Sequence, residues 1–142
     1  MRETLHLRIP AKPEYLVLGR LALSGLSRLR PIDQNDLSDL KLALTEACTN
    51  SIRHAYSDSG GSVEIEFVLE PGSITIEVLD DGTGFRMPDD GGSGNGLDEG
   101  GLGLAIIGAV TDEADSGRRD DGTGSRLRFR KRLAERQADN AG

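Results

Sequence analysis

Glu46 and Asn50 are the first side chains in this 142-residue chain whose types and spacing could serve chemistry. Residues four apart on a helix share a face, so this carboxylate and this amide could address one ligand together. With Leu37 set at 0° and a turn of about 100° per residue, both side chains fall at roughly 180–220°, opposite a leucine stripe. Taken alone, the pair is interpreted more simply as a solvated polar face.

A second candidate follows an apolar run, where Asp80-Asp81-Gly82-Thr83-Gly84 marks the end of a predicted strand. An aspartate there could accept a hydrogen bond from an exocyclic amine, and the glycines would let the backbone approach a flat base. Because Asp-Gly is also a strong turn signal, a strand-ending turn is the simpler interpretation of this motif alone.

There are two further glycine-rich motifs, one at the start of a helical run and one before a strand. Gly100-Gly101-Leu102-Gly103-Leu104 opens the helical run, where free N–H groups attract anions, although a flexible helix entry is an equally good interpretation. It is neither a P-loop nor a G-x-G-x-x-G fingerprint. Gly122-Thr123-Gly124-Ser125 precedes the last strand and offers hydroxyls that could bind a purine, but alone it predicts a hairpin turn.

The elements that must position these motifs follow from the apolar patterning. A Gly-rich segment over residues 86–100 is long enough to be a lid or a disordered loop. Prolines predict where the first helix begins and ends, and Pro71-Gly72 predicts a hairpin between two strands. The predicted strands are 4–9, 63–69, 74–79 and 127–130, and the predicted helices are 13–29, 33–54 and 102–110.

Composition limits the class of protein. Seventeen Lys+Arg against 24 Asp+Glu give a net charge of −7, so a general nucleic-acid binder is not expected. A single cysteine, Cys48, excludes an internal disulfide framework, and its place on the leucine stripe predicts a buried small hydrophobe. No run approaches the roughly 20 apolar residues of a membrane span, and the early alternation argues against a signal peptide, so a cytoplasmic protein is expected.

The order of the four motifs resembles the Bergerat (GHKL) ATP-binding fold, shared by histidine kinases, gyrase-type ATPases and anti-sigma factor serine kinases. Within it, the chain is most similar to the anti-sigma factor kinases typified by RsbW and SpoIIAB. The segment from Leu44 to Tyr56, LTEACTNSIRHAY, is similar to their extended N-box. The resemblance implies an α/β (α+β sandwich) fold with a mixed, mostly antiparallel sheet and helices layered on one face. We expect one kinase domain over residues 1–132 and a disordered polar tail over 133–142.

The resemblance also implies roles for four polar residues. Asn50 matches a ligand of Mg²⁺ that bridges the nucleotide phosphates, and Glu46 matches the general base that deprotonates the attacking hydroxyl. Asp80 matches the acceptor of the adenine amino group. Ser125 stands where the family has a threonine that supports the adenine site, and it keeps the hydroxyl.

Glycines and one arginine complete the implied site. Gly82 and Gly84 match the glycines beside the base, and Arg20 matches an arginine that binds partners. The phosphate-facing segment of the family corresponds to Gly101, Leu102, Gly103 and Leu104.

The implied function is that of a bacterial anti-sigma factor that binds ATP and Mg²⁺. It would sequester a sigma factor and phosphorylate a serine or threonine of a STAS-type anti-anti-sigma factor. A homodimer without nucleic-acid or membrane contacts is expected. Two alternatives stay open: an ATP-binding module that captures partners without turnover, and a histidine-kinase-like catalytic domain that acts on a separate phosphoacceptor.

Overall fold

The structure, a computed structural model, describes residues 2–55, 61–80, 99–119 and 124–133. The described elements are five strands and three α-helices, the first helix being preceded by a 3-10 turn at Pro13–Tyr15. In chain order they are β1 (Glu3–Pro10), α1 (Leu16–Leu29), α2 (Gln34–Ala55), β2 (Ser62–Glu70), β3 (Ser73–Asp80), α3 (Glu99–Val110), β4 (Glu113–Arg118) and β5 (Ser125–Arg132).

The strands form one sheet in the order β1-β2-β3-β5-β4. Each pairing among the described strands is antiparallel, which confirms the predicted fold class and its mostly antiparallel sheet. The predicted hairpin joins β2 to β3, with Glu70 opposite Ser73. Gly72 has φ +81°, and a proline followed by a glycine at positive φ fits the middle of a type II turn.

One face of the sheet is apolar because alternate residues of each central strand point to the same side. In β2, positions 63, 65, 67 and 69 are buried, and the residues between them are only half-buried. The buried apolar side chains of the sheet are Ile9, Val63, Ile65, Phe67, Leu69, Ile74, Ile76, Val78, Leu127 and Phe129. The opposite face carries charged pairs such as Arg126–Glu77 and Arg130–Glu113, so the described helices pack on the apolar side.

Helix α2 is central to the helix layer and contacts α1, α3, β2, β3 and β5. The predicted leucine stripe faces the core: Leu40, Leu44 and Cys48 are buried. Helix α1 approaches this stripe at Gly19, where an added Cβ would lie 3.3 Å from Ile65 Cδ1 and 3.4 Å from Leu44 Cδ2. The glycine therefore lets α1 pack closely against both α2 and the sheet.

The structure also contains a strand that the sequence patterning did not predict. Strand β4, with the sequence EADSGR, is at the sheet edge and is almost wholly exposed. It has no apolar alternation, because neither of its faces covers the core. Its pairing with β5 places Ser116 opposite Leu127 and Arg118 opposite Ser125.

Several sequence predictions concern residues outside the described ranges. They include most of the Gly-rich segment over 86–100, the glycines Gly82 and Gly84, and the tail beyond residue 133. For these segments the sequence-based expectations stay predictions. No helix among the described residues is long and apolar enough to span a bilayer.

Candidate nucleotide and phosphoryl-transfer site

The Glu46–Asn50 pair lies against α3 and does not form the solvated face that the motif alone suggested. Asn50 is only 8% exposed, and Glu46 is half-buried. An added Cβ at Gly103 would lie 3.1 Å from Glu46 Oε1, 3.6 Å from Asn50 Nδ2 and 3.8 Å from Asn50 Oδ1. The structure therefore brings together three of the predicted site residues from two helices.

The local sequence explains this close approach. On α2, Ala43 and Ala47 are fully buried and lie on the same side as Glu46 and Asn50 by the helical repeat. On α3, Gly103 has no side chain to separate the helices. Small residues on both helices thus let the backbone of α3 come within contact distance of a carboxylate and an amide.

Both polar groups are available to a ligand. Among the described residues, neither Glu46 nor Asn50 makes a side-chain hydrogen bond or ion pair. Glu46 and Asn50 are therefore the polar side chains that a ligand bound at the start of α3 would meet first.

The second part of the site is at the end of β3. Asp80 is fully buried, and it continues the core-facing row of Ile74, Ile76 and Val78. Ser125 is opposite Asp80 in the β3–β5 register. Its hydroxyl donates to Asp80 Oδ2 at 2.5 Å, and its backbone N–H donates to Asp80 Oδ1 at 3.3 Å.

This arrangement keeps a buried carboxylate hydrogen-bonded on the helix-facing side of the sheet. Each oxygen of an ionised carboxylate can accept more than one hydrogen bond. Gly124, which has φ +67°, precedes Ser125 and allows the chain to turn into β5. Asp80 and Ser125, which the resemblance assigned separately to adenine, are thus hydrogen-bonded to each other.

Sequence reasoning missed one residue at this end of the sheet. Arg119 directly follows β4, and its Nη1 donates to the backbone carbonyl of Asp80 at 3.4 Å. No signal in the segment GRRDD distinguished Arg119 from its neighbour Arg118. Only recognition of β4 as a strand beside β5 would have placed Arg119 near Asp80.

The remaining predicted residues have more peripheral positions. Leu102 is 62% exposed and Leu104 is 40% exposed in the first turns of α3, on which Gly101 also lies. Arg20 is exposed on α1. Gly82 and Gly84 lie outside the described residues, so the structure does not place them.

The side chains around Asn50 limit the kind of cation that could bind beside it. No group of three or more His, Cys, Asp or Glu side chains that could hold a metal occurs among the described residues. A cation beside Asn50 would therefore take most of its ligands from phosphate and water. Mg²⁺ has this preference, because it usually keeps several waters and binds protein through one or two oxygens plus substrate phosphates.

Comparison with known proteins agrees with this geometry. Residues 9–131 match the histidine kinase-like ATPase domain family. The chain belongs to this family, and it uses ATP as a member of it. The family match spans α2, β3, α3 and the start of β5, which together carry the described part of the site.

The serine-protein kinase RsbW is similar in sequence along most of its length. The Listeria monocytogenes protein is 34% identical over 123 residues, which cover 80% of this chain and 78% of that protein. The Halalkalibacterium halodurans protein is 35% identical over 147 residues, covering 97% and 88% of the two chains. The Bacillus licheniformis protein is 38% identical over 119 residues, covering 77% and 74%. The chain is thus a protein serine/threonine kinase of the RsbW type.

Two solved structures share the fold. One contains the RsbU and RsbW domains of Rv1364c from Mycobacterium tuberculosis, with a TM-score of 0.67 and 20% identity. It matches 94% of this chain and 33% of that one. The other is the SiaB–SiaC complex from Pseudomonas aeruginosa, with a TM-score of 0.58, 18% identity and coverage of 89% and 88%.

Proposed function

We propose that this kinase binds ATP with Mg²⁺ between α2 and α3 and transfers the γ-phosphoryl group to a serine or threonine of an anti-anti-sigma factor. When ATP-bound, it sequesters a sigma factor, and the unphosphorylated antagonist displaces that factor. The observation that carries the proposal is the close approach of α3 at Gly103 to Glu46 and Asn50, whose polar atoms lie within 4 Å of the Cβ position. The named kinase relatives support the reaction class.

Each end of the nucleotide has a separate set of protein groups. Asp80 accepts from the adenine amino group, and Ser125 holds that carboxylate in place. At the other end, Asn50 would hold Mg²⁺ through its amide oxygen. The ion would supply the charge neutralisation that phosphoryl transfer needs beside correct positioning. Backbone N–H groups at the start of α3 face the phosphates.

Glu46 is the general base of the proposed reaction. Its carboxylate takes the proton of the attacking hydroxyl while the hydroxyl oxygen bonds to the γ-phosphorus and ADP leaves. A general base of this kind contributes about 10²–10⁴-fold to a rate. The proximity of its carboxylate to Gly103 supports this role, because the start of α3 is the proposed phosphate-facing segment.

Single-turnover phosphotransfer to candidate antagonists from the same genome tests the base assignment. We expect Glu46→Gln to retain ATP binding and to lose transfer by about 10²–10⁴-fold. Glu66→Gln is the matched control, because Glu66 is on the opposite face of β2. An unchanged rate in Glu46→Gln would reject the base assignment. Acid-labile phosphohistidine on the product, in place of acid-stable phosphoserine or phosphothreonine, would reject the proposed substrate class.

Calorimetric ATP titration in Mg²⁺ tests the role of Asn50. We expect Asn50→Ala to abolish binding, because it removes the side-chain ligand of the ion. Asn35→Ala removes an exposed amide from the first turn of the same helix and should bind ATP like the wild type. Near-normal ATP affinity in Asn50→Ala would refute the ligand assignment.

The partner assignment depends on α1. We propose that exposed Arg20 contacts the sigma factor or its antagonist and that the kinase acts as a cytoplasmic homodimer. Arg20→Ala should weaken partner capture and leave ATP binding intact. Arg28→Ala is the control, since it removes another exposed arginine from the same helix. Sedimentation of the purified protein measures the dimer, and a monomer at micromolar concentration would contradict it.

A further inference from the structure

Lys131 is a lysine on the core-facing side of β5. It follows Leu127 and Phe129 in the alternation of this strand, and its side chain is only 13% exposed. A lysine rarely occupies such a place unless its charge is paired. The groups that pair with this charge therefore indicate the role of Lys131.

The ammonium group of Lys131 contacts both helices that form the site. Its Nζ is 3.2 Å from Asp39 Oδ2 and 3.8 Å from Asp36 Oδ1, both on the first turns of α2. It also donates to the carbonyl of Val110 at 3.1 Å. Val110 is the last residue of α3, where the helix dipole favours a cation.

These contacts lie at the opposite end of the α2–α3 pair from the site. Asp36 and Asp39 share a side of α2 with Glu46 and Asn50 by the helical repeat. Because the start of α2 meets the end of α3 at Lys131, and Glu46 meets Gly103, the two helices run antiparallel. Seven residues, about 10 Å along α3, separate the two meeting points.

We propose that Lys131 is a positioning residue for phosphoryl transfer, which sets the axial position of α3 so that Gly103 stays beside Glu46 and Asn50. A helix held at one end can slide or tilt at the other, and a displacement of about 1 Å in a reacting group can cost about 10²-fold in rate. The inference deepens the proposed function and rests on it for its catalytic consequence. The helix placement itself does not depend on nucleotide.

Hydrogen exchange of the free protein tests the placement directly. Lys131→Met should lower the protection of amides 103–110 relative to those of β2 and β3, and Lys131→Arg should restore it. Arg132→Met is the matched control, because Arg132 is exposed, is next in the same strand and alternates to the other face. Asp39→Asn is a milder second variant, which keeps the lysine and should show a smaller loss in the same amides.

Ligand binding separates positioning from general loss of structure. Lys131→Met should weaken binding of the ATP analogue AMP-PNP with Mg²⁺ at least tenfold and lower the single-turnover rate at saturating ATP. Its affinity for adenosine, which lacks phosphates and would bind at the Asp80–Ser125 end of the site, should stay within twofold of wild type. A proportional loss for adenosine and AMP-PNP, or wild-type protection of 103–110 in both Lys131→Met and Asp39→Asn, would overturn the inference. Failure of the wild type to bind AMP-PNP would instead overturn the proposed function, while the exchange result would still decide the role of Lys131.

Discussion

Replacement of Gly103 by alanine should separate stability from activity. In a helix, alanine is favoured over glycine by about 1 kcal/mol. The new Cβ would lie 3.1 Å from Glu46 Oε1, which is tighter than an ordinary contact. Since that oxygen is the end of a flexible side chain, a shift of a few tenths of an ångström relieves the contact. We expect Gly103→Ala to be as stable as the wild type or up to about 1 kcal/mol more stable, with a rise in Tm of at most about 4 °C.

The same methyl group should impair the reaction. It displaces either the carboxylate that we assign as the base or the start of α3, which we assign to the phosphates. We expect AMP-PNP binding and single-turnover transfer to fall on the order of tenfold or more, because small misplacements at a reacting centre have large effects on rate.

Gly108 supplies the matched control within the same helix. An added Cβ at Gly108 meets nothing within 4 Å, so Gly108→Ala should gain the same helix propensity without any change at the site. The assays are thermal unfolding, AMP-PNP titration and rapid-quench transfer for both variants. Wild-type transfer by Gly103→Ala would refute the requirement for close approach of α3 to Glu46, and so would an equal loss of transfer in Gly108→Ala.

Two further predictions concern buried polar groups. Ser125→Ala should destabilise the fold by about 1–3 kcal/mol in urea unfolding, because fully buried Asp80 loses its hydroxyl donor. Ser125→Thr should retain wild-type stability, and an equally stable Ser125→Ala would contradict the argument. Burial raises the pKa of Cys48 to about 12 from 9.0. Above pH 9 the unfolded thiol loses its proton while the folded thiol keeps it, so the free energy of unfolding should fall by about 1 kcal/mol between pH 9 and pH 10. Cys48→Ala should lack this part of the decrease, and equal pH slopes in the two proteins would contradict the prediction.

The elements that could be predicted from the sequence are those in which apolar residues recur on one buried face. The leucine stripe of α2 and the alternation of β2 are direct consequences of packing on one side, and both are confirmed. Strand β4 has no buried face, so its sequence EADSGR contains no such record. It is held by backbone pairing with β5, the next strand along the chain, and hydrophobic periodicity does not report such pairing.

The candidate site, too, could be predicted from the sequence only in part. The spacing of Glu46 and Asn50 gave their shared face, but whether that face met water or α3 depended on packing between distant segments. The hydrogen bond from Ser125 to Asp80 joins residues 45 apart and depends on strand register. The order of the four motifs along the chain suggested that Glu46, Asn50, Asp80 and Ser125 belong to one site. Lys131 is not part of any sequence motif, so only the fold shows that its side chain joins α2 to α3.

The two ends of the proposed nucleotide site depend on different parts of the fold. Asp80 and Ser125 are fixed by adjacent strands, so the adenine end should persist whenever the sheet is intact. Glu46, Asn50 and Gly103 depend on the relative position of two helices, which have few large side chains between them. The phosphate end is therefore the part that a distant change on α2 or α3 can alter. Adenosine and AMP-PNP should then respond independently to mutation, with helix variants changing only the second affinity and Ser125→Ala weakening both.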